Sequence, residues 1–248
     1  NDINNISSNV ETSLKKQGSI LDNYNVTFGE LNPSNFTVPV TISITPKEYS
    51  KGLIANLLAN NKSVTLKNEG KSFVGTVNAN IFDNFQLKVD LNNKGVDKIE
   101  TLEEYDDLKD KYLLKISGGF DGQSNSGSNQ YQYSGKVNLN FSSSKSNDVE
   151  KISIINDVNG VIIGKHQIKP SNSVSVDLND KIKLKNGEKL MTYAMVQDKY
   201  DLNYKYIVDT FVTDSNGKPV TDNSTLEMRG LTEISDKNGK VLYTLNKK

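Results

Sequence analysis

The sequence predicts an all-β chain: two tandem antiparallel β-sandwiches led by a short N-terminal helix. Two patterns point there. Apolar and polar residues alternate with period 2 through most of the chain after position 36, as they do on half-buried strands. Turn signals, many of the Asx-Gly kind, interrupt that alternation about every 8–12 residues, the rhythm of an antiparallel sandwich. The 248 residues are enough for two such domains.

The helix is expected over residues 2–17. Ile3, Ile6, Val10 and Leu14 fall on one face of a 3.6-residue period, Asp2 suits the start, and Gly18 sits where a C-terminal cap belongs. The apolar stripe is narrow, so the helix needs a partner. Either it packs on the first domain, or it ends a coiled-coil stalk and offers a route to an oligomer.

Strand patterns follow. Phe36, Val38, Val40, Ile42 and Ile44 alternate with polar residues, and Pro39 on the outer face suits an edge strand. Residues 62–66, 73–81 and 85–91 alternate likewise, punctuated at Asn60-Asn61, Glu69-Gly70 and Lys94-Gly95. The more continuous stretch 53–59 reads as a buried strand or a single helical turn.

Near the middle, Tyr105-Asp106-Asp107-Leu108 leads through Lys111-Tyr112 into an apolar run. The pattern recurs, one residue shorter, as Tyr200-Asp201-Leu202 leading through Tyr204 into another. A polar corner repeated at about the length of one sandwich domain suggests one kind of module used twice. The corner is assigned to Tyr105, Asp106, Asp107 and Tyr112, with Asp198 and Asp201 in the second copy. The domains expected are 1–26 (helix and linker), 27–105 (first sandwich) and 106–248 (second sandwich with a C-terminal hairpin).

Beyond the corner, residues 121–130 form a Ser/Gly/Asn tract expected to be a mobile loop. Tyr131, Tyr133, Val137, Leu139 and Phe141 make the clearest strand, with Gly135 in register. Asn159-Gly160 between 152–154 and 161–163 is a hairpin signal. Runs at 174–178, 182–184, 190–196 and 206–212 continue the second sheet set, and a last hairpin turns at Asn238-Gly239. Residues 206–248 are too few to make a core alone.

Composition narrows the function. Thirty Lys and Arg balance thirty Asp and Glu, and no basic stripe carries interleaved aromatics, which argues against nucleic-acid partners. Without Cys there is no disulfide, thiolate nucleophile or Cys-ligated metal. Cysteine-free chains rich in Asn, Lys, Ser and Thr are common among exported bacterial proteins. No apolar run is long enough for a spanning helix, so membrane attachment is expected only through an anchor upstream of residue 1. The single histidine, His166, has no activated Ser context, and catalytic residues are expected to be none. No phosphate-binding loop occurs, and no cofactor is expected.

Acids remain. Glu100, Glu103, Glu104, Asp106, Asp107 and Asp110 alternate with lysines, as a solvated interdomain linker would; a glycosidase would need two of them facing across a cleft. Asp214-Ser215-Asn216-Gly217, Asp236-Lys237-Asn238-Gly239 and Asn156 to Gly160 resemble calcium loops, but lack their full ligand spacing and read as hairpin turns, so no metal is expected there. The corners at Asp106-Asp107 and Asp198–Asp201 are the other oxygen-rich places. Among the tyrosines, Tyr131 and Tyr133 share a face with the strand core, whereas Tyr200 and Tyr204 lie in the corner and are the candidate ligand-binding rings.

The opening strand Thr37-Val38-Pro39-Val40-Thr41-Ile42-Ser43-Ile44, the Asx-Gly hairpins and the repeated Tyr-Asp corner resemble tandem immunoglobulin-like modules. Such modules occur in extracytoplasmic regions of membrane- or wall-anchored proteins of low-GC Gram-positive bacteria. The resemblance implies a non-enzymatic module at the cell surface, for spacing, sensing, or binding a protein or cell-wall glycan. The alternatives are a glycan-binding module using Tyr200 and Tyr204, and a carboxylate glycosidase using the acids at 103–107.

Overall fold

A computed structural model describes residues 18–60, 62–127, 130–143, 147–220 and 229–245. The helix expected over 2–17, and with it the oligomer contact assigned to that helix, lies outside the described residues. The chain divides into two compact units, Asn1–Lys109 and Asp110–Lys248. Both are built from antiparallel sheets.

In the first unit β1 (Leu21–Phe28), β2 (Thr37–Pro46), β5 (Lys67–Glu69) and β6 (Ser72–Asn80) form one sheet in the order β1-β2-β6-β5. β3 (Ile54–Ala59), β4 (Lys62–Thr65), β7 (Phe85–Asn93) and β8 (Val96–Tyr105) form the other, β4-β3-β7-β8. Period 2 sorts the side chains. Val38, Val40, Ile42 and Ile44 of β2 are buried, as are Ala55, Leu57 and Ala59 of β3 and Phe85, Leu87, Val89 and Leu91 of β7. Each large apolar side chain so buried contributes about 1.5–3 kcal/mol over leaving it in water. The intervening residues face outward, where Thr41 and Thr76 share a cross-strand hydrogen bond of 2.8 Å. The stretch 53–59 is thus largely a strand.

Three expectations change. β2 is interior rather than an edge strand: it pairs with β1 and β6. Pro39 is tolerated because β1 ends at Phe28 and the next residue, Gly29, donates its N–H to the Pro39 carbonyl (2.8 Å). A Cβ on Gly29 would lie 2.5 Å from Pro39 Cγ, so only glycine fits over the ring. β1 occupies residues read as linker. Glu100, Glu103 and Glu104 lie on β8, not in a solvated corner; there Glu100 accepts hydrogen bonds from Ser19 Oγ (3.0 Å) and the Ile20 N–H (2.8 Å), and Glu103 from Tyr24 Oη (2.9 Å). These carboxylates clasp β1 to β8.

A 3₁₀ turn (Leu108–Lys111) precedes the strands of the second unit. β9 (Lys115–Gly127) and β10 (Gln130–Ser142) pair along their full lengths, and β13 (Ser173–Leu178) and β14 (Lys181–Lys183) share the other side of β10. The second sheet runs β12-β11-β15-β16-β17-β18, from β11 (Val149–Val158), β12 (Val161–Ile168), β15 (Lys189–Asp198), β16 (Asn203–Val212), β17 (Gly230–Ser235) and β18 (Val241–Thr244). Counted within each unit, the fourth, third, seventh and eighth strands are neighbours in that order in both, and the first pairs with the second. The hairpins at Lys94-Gly95 and Asn159-Gly160 have positive φ at both central residues (53° and 86°; 51° and 87°), the two-residue turn whose twist matches its strands.

The tract expected to be a loop is mostly strand: residues 121–127 pair in register with 130–136. The apolar face of β10 sets the register, and the polar tract follows it through backbone bonds. Gly122 and Gly135 face each other there. A Cβ on Gly135 would stand 2.4 Å from the Asp121 carbonyl oxygen and 2.9 Å from Phe120 Cζ, whose ring fills the space both glycines leave. Gly135→Ala must push β9 off β10 or displace Phe120. We expect a loss of about 1–3 kcal/mol, seen as a lower urea midpoint with an unchanged slope.

Candidate functional site

The corner residues separate by unit. Tyr105 ends β8, its ring edge-on to Phe28 (5.1 Å between centroids) and stacked on Phe85 (6.4 Å); burial raises its hydroxyl pKa, with Glu103 adding to the effect. Asp106 and Asp107 are exposed, and Asp107 pairs with Lys109 (2.5 Å). Tyr112 is a core residue of the second unit. The other copy lies at the β15–β16 turn, a different place in the module, whose counterpart in the first unit is the turn at Lys94-Gly95. The two copies therefore mark no shared position in the strand order, and Asp198 and Asp201 lie at a turn within the second unit. What the units share is strand order.

At that turn Asp198 is fully buried. One carboxylate oxygen accepts from the N–H groups of Tyr200 (2.9 Å) and Leu202 (3.0 Å). The other accepts from Tyr204 Oη (2.6 Å) and Asn147 Nδ2 (2.9 Å). Asp201 takes the left-handed conformation (φ 60°) that closes the turn. Tyr204 is fully buried and cannot present a face to a sugar, which removes it as a ligand-binding ring. Tyr200 is half-buried with Lys199 Nζ 5.1 Å above its ring. The corner is a structural lock, and no pair of its acids converges on a cleft.

The turn acids are likewise committed. Asp214 accepts from the N–H groups of Asn216 and Lys218 (both 2.8 Å), and Asp236 from those of Asn238 (2.8 Å) and Lys240 (2.9 Å). Asp157 accepts from Gly160 N–H (2.6 Å). These are Asx turns. Among the described residues, no three His, Asp or Glu side chains group as metal ligands. No described helix is long and apolar enough to cross a membrane.

The surface that stands out is the free edge of β12. Val161, Ile162 and Ile163 are 63%, 56% and 49% exposed on a terminal strand whose only strand partner among the described residues is β11. Natural edge strands usually carry charge, proline or a cover. Beside them lies a cavity of about 690 Å³ lined by Val158, Val161, Ile163 and Leu184, with Lys183, Lys185 and Glu188 as its charged groups. It adjoins, through Ile163 and Lys183, a polar cavity of about 400 Å³ holding Lys165, Lys181, His166 and Asp180. Asp180 Oδ2 accepts from Tyr133 Oη and Asn156 Nδ2 (both 3.0 Å), with His166 Nε2 at 3.3 Å. The result is a groove with an apolar floor and lysine walls along an open strand edge. The sequence signal was available: three consecutive β-branched residues break the period-2 rule, and they cannot all face one core.

No family model and no curated protein matches the sequence. A search of solved structures finds likeness to a chain described as "Biofilm associated protein - BSP domain", at 13% identity and a TM-score of 0.22. The alignment takes in 79% of this chain and 30% of that one.

Proposed function

We propose that this chain is a non-enzymatic, extracytoplasmic module of two immunoglobulin-like sandwiches that binds a polypeptide partner in extended form along β12. The exposed, uncovered edge at Val161, Ile162 and Ile163, beside the lysine-walled groove, carries the reading. A strand laid on such an edge gains main-chain hydrogen bonds, and neighbouring pockets take its alternate side chains. Lysine walls select an acidic strand.

The immunoglobulin-like assignment draws support from strand order. β1-β2-β6-β5 and β4-β3-β7-β8 follow the A-B-E-D and C′-C-F-G orders of that fold, and β12-β11-β15-β16 repeats the second. The extracytoplasmic placement rests on the cysteine-free, Asn- and Lys-rich composition and the resemblance described above. The non-enzymatic reading rests on where the acids are spent: strand clasps, turns and a buried lock.

Fluorescence-anisotropy titration with labelled extended peptides tests the binding. An alternating Val/Glu peptide should bind saturably, about tenfold or more tighter than its Val/Lys counterpart, and Ile162→Lys should abolish it. Equal binding of both peptides, or of neither, would overturn the reading. Protease shaving of intact cells should release peptides from residues 18–245; their release only after lysis would remove the extracytoplasmic part.

A further inference from the structure

A cleft in the second unit follows from small residues on β9. Phe120, Gly122 and Ser124 stand opposite Val137, Gly135 and Tyr133 of β10, so they share the face on which Val137 and Tyr133 are buried. Positions on that face are normally covered, yet Gly122 and Ser124 are exposed. Between them and β16 lies a cleft of about 310 Å³, lined also by Phe120 and the buried Tyr131.

The β16 wall is set by a bulge. Tyr193 pairs with Ile207 and Thr192 with Asp209, so Val208 is the extra residue. Tyr204 and Tyr206 are buried before it; after it Asp209 and Phe211 line the cleft, so the inward positions pass from even to odd. Bulges commonly re-aim side chains in this way beside binding sites. Phe211 stacks on Tyr131, with 4.2 Å between centroids and 23° between planes. Asp209 Oδ2 accepts from Tyr131 Oη (2.9 Å), and Oδ1 accepts from Nη2 of Arg229 (2.8 Å), the one arginine of the chain.

Asp209 and Arg229 are the charged residues lining the cleft, and they cancel, so it favours neither an anion nor a cation. Each carboxylate oxygen keeps a second lone pair, and the guanidinium keeps further N–H donors. A hydroxyl can donate to the first and accept from the second, and adjacent hydroxyls on a ring can span both. Tyr131, Phe120 and Phe211 supply apolar surface against which ring C–H groups pack. We propose that this cleft binds one hexopyranose ring of a glycan, its hydroxyls bridging Asp209 and Arg229 and its C–H face against the aromatic side chains. In sheet order β11 and β15 separate β16 from β12, and the site stands whether or not β12 binds a strand. Among the described residues Asp209 is the one carboxylate lining the cleft, so the ring is held and not hydrolysed; hydrolysis needs a second acid across it.

Two-dimensional NMR of the isotope-labelled 248-residue chain, titrated with methyl glycosides of glucose, galactose, mannose and N-acetylglucosamine, tests this. At least one glycoside should saturably shift the amide signals of residues 120–124, 131 and 209–211, with a Kd on the order of 1 mM. Open-chain glucitol has the hydroxyls without the rigid C–H face, and should bind at least about tenfold more weakly. Arg229→Ala removes an exposed donor, and Ser124→Leu fills the cleft from an exposed position; both should keep the fold by circular dichroism. Each should weaken glycoside binding about tenfold or more. Because the ligand is uncharged, raising the salt from about 0.01 M to about 1 M should change the Kd by less than about twofold. No shift at those amides with any of the four glycosides, glucitol binding as tightly as the ring, or unchanged affinity in both variants would overturn the inference.

Discussion

Asp198→Ala should lower the unfolding free energy by about 3–5 kcal/mol, read from urea titration. The carboxylate is buried and accepts four hydrogen bonds that join the β15–β16 turn, the approach to β11 and the start of β16. Tyr204 Oη also lies 3.4 Å from the Leu114 N–H just before β9, so the lock reaches the entrance of the second unit. Alanine leaves the Tyr204 hydroxyl, the Asn147 amide and the Leu202 N–H without their acceptor in a dry site, each at a cost of about 1–3 kcal/mol before relaxation. Asp198→Asn should cost less, about 1–2 kcal/mol, for a stated reason: Asn147 Oδ1 is buried and has no hydrogen-bond partner. Rotating the Asn147 amide would present that oxygen to the new NH₂ group. An equal loss in both variants would refute this account.

The same residue sets a pH dependence. Burial raises the Asp198 pKa above 3.8, against the opposing pull of hydrogen bonds from Tyr204, Asn147 and the backbone of Leu202 and Tyr200. The native state therefore holds this proton to higher pH than the unfolded chain does. Its contribution is fully favourable below the unfolded value and is lost as pH rises through the raised native value. The stability difference between wild type and Asp198→Asn should accordingly shrink as pH rises from about 4. A growing difference would mean that the carboxylate is ionised at lower pH in the native state than in the unfolded one.

Asn156→Ala should cost about 2–4 kcal/mol. Asn156 is buried on β11, and its Oδ1 accepts from Tyr133 Oη of β10 (2.7 Å) and Thr192 Oγ1 of β15 (2.9 Å), while Nδ2 donates to Asp180 (3.0 Å). One amide thus ties both sheets of the second unit. Tyr133 retains Asp180 as an acceptor, whereas Thr192 loses the carbonyl to which its hydroxyl donates. The isosteric Asn156→Asp places a second carboxylate against Asp180, so it should be as damaging at neutral pH and recover in acid, where one of the two takes up a proton. Both variants are to be measured by urea titration at neutral and acidic pH; a pH-independent loss in Asn156→Asp would show that the two carboxylates do not meet.

How far these features were legible follows from what carries each. Period 2 is a local property, so the buried faces of β2, β7 and β10 could be read directly. β1 was harder: Tyr24, Val26 and Phe28 alternate, but between Asn and Thr in a short run, and beyond its pairing with β2 the strand is tied by Tyr24 to Glu103, some 80 residues away. The tract 121–127 looks like a loop because its strand character is borrowed through the backbone from β10. Tyr204 looked exposed because a Tyr-Asp turn is usually solvated; the buried carboxylate that receives its hydroxyl stands six residues earlier and cannot be recognised as buried from its neighbours.

The sequence by itself determined the all-β class, most strand faces and the tight turns, since alternation and Asx-Gly chemistry act over a few residues. Only the tertiary structure decided which strands end their sheets. Edge and interior strands share one local pattern and differ in what lies beside them, so Pro39 pointed to the wrong place. Burial of Asp198 and Tyr204 likewise depends on residues far apart in the chain. Non-local pairing set the candidate site, while local periodicity set the strands that carry it.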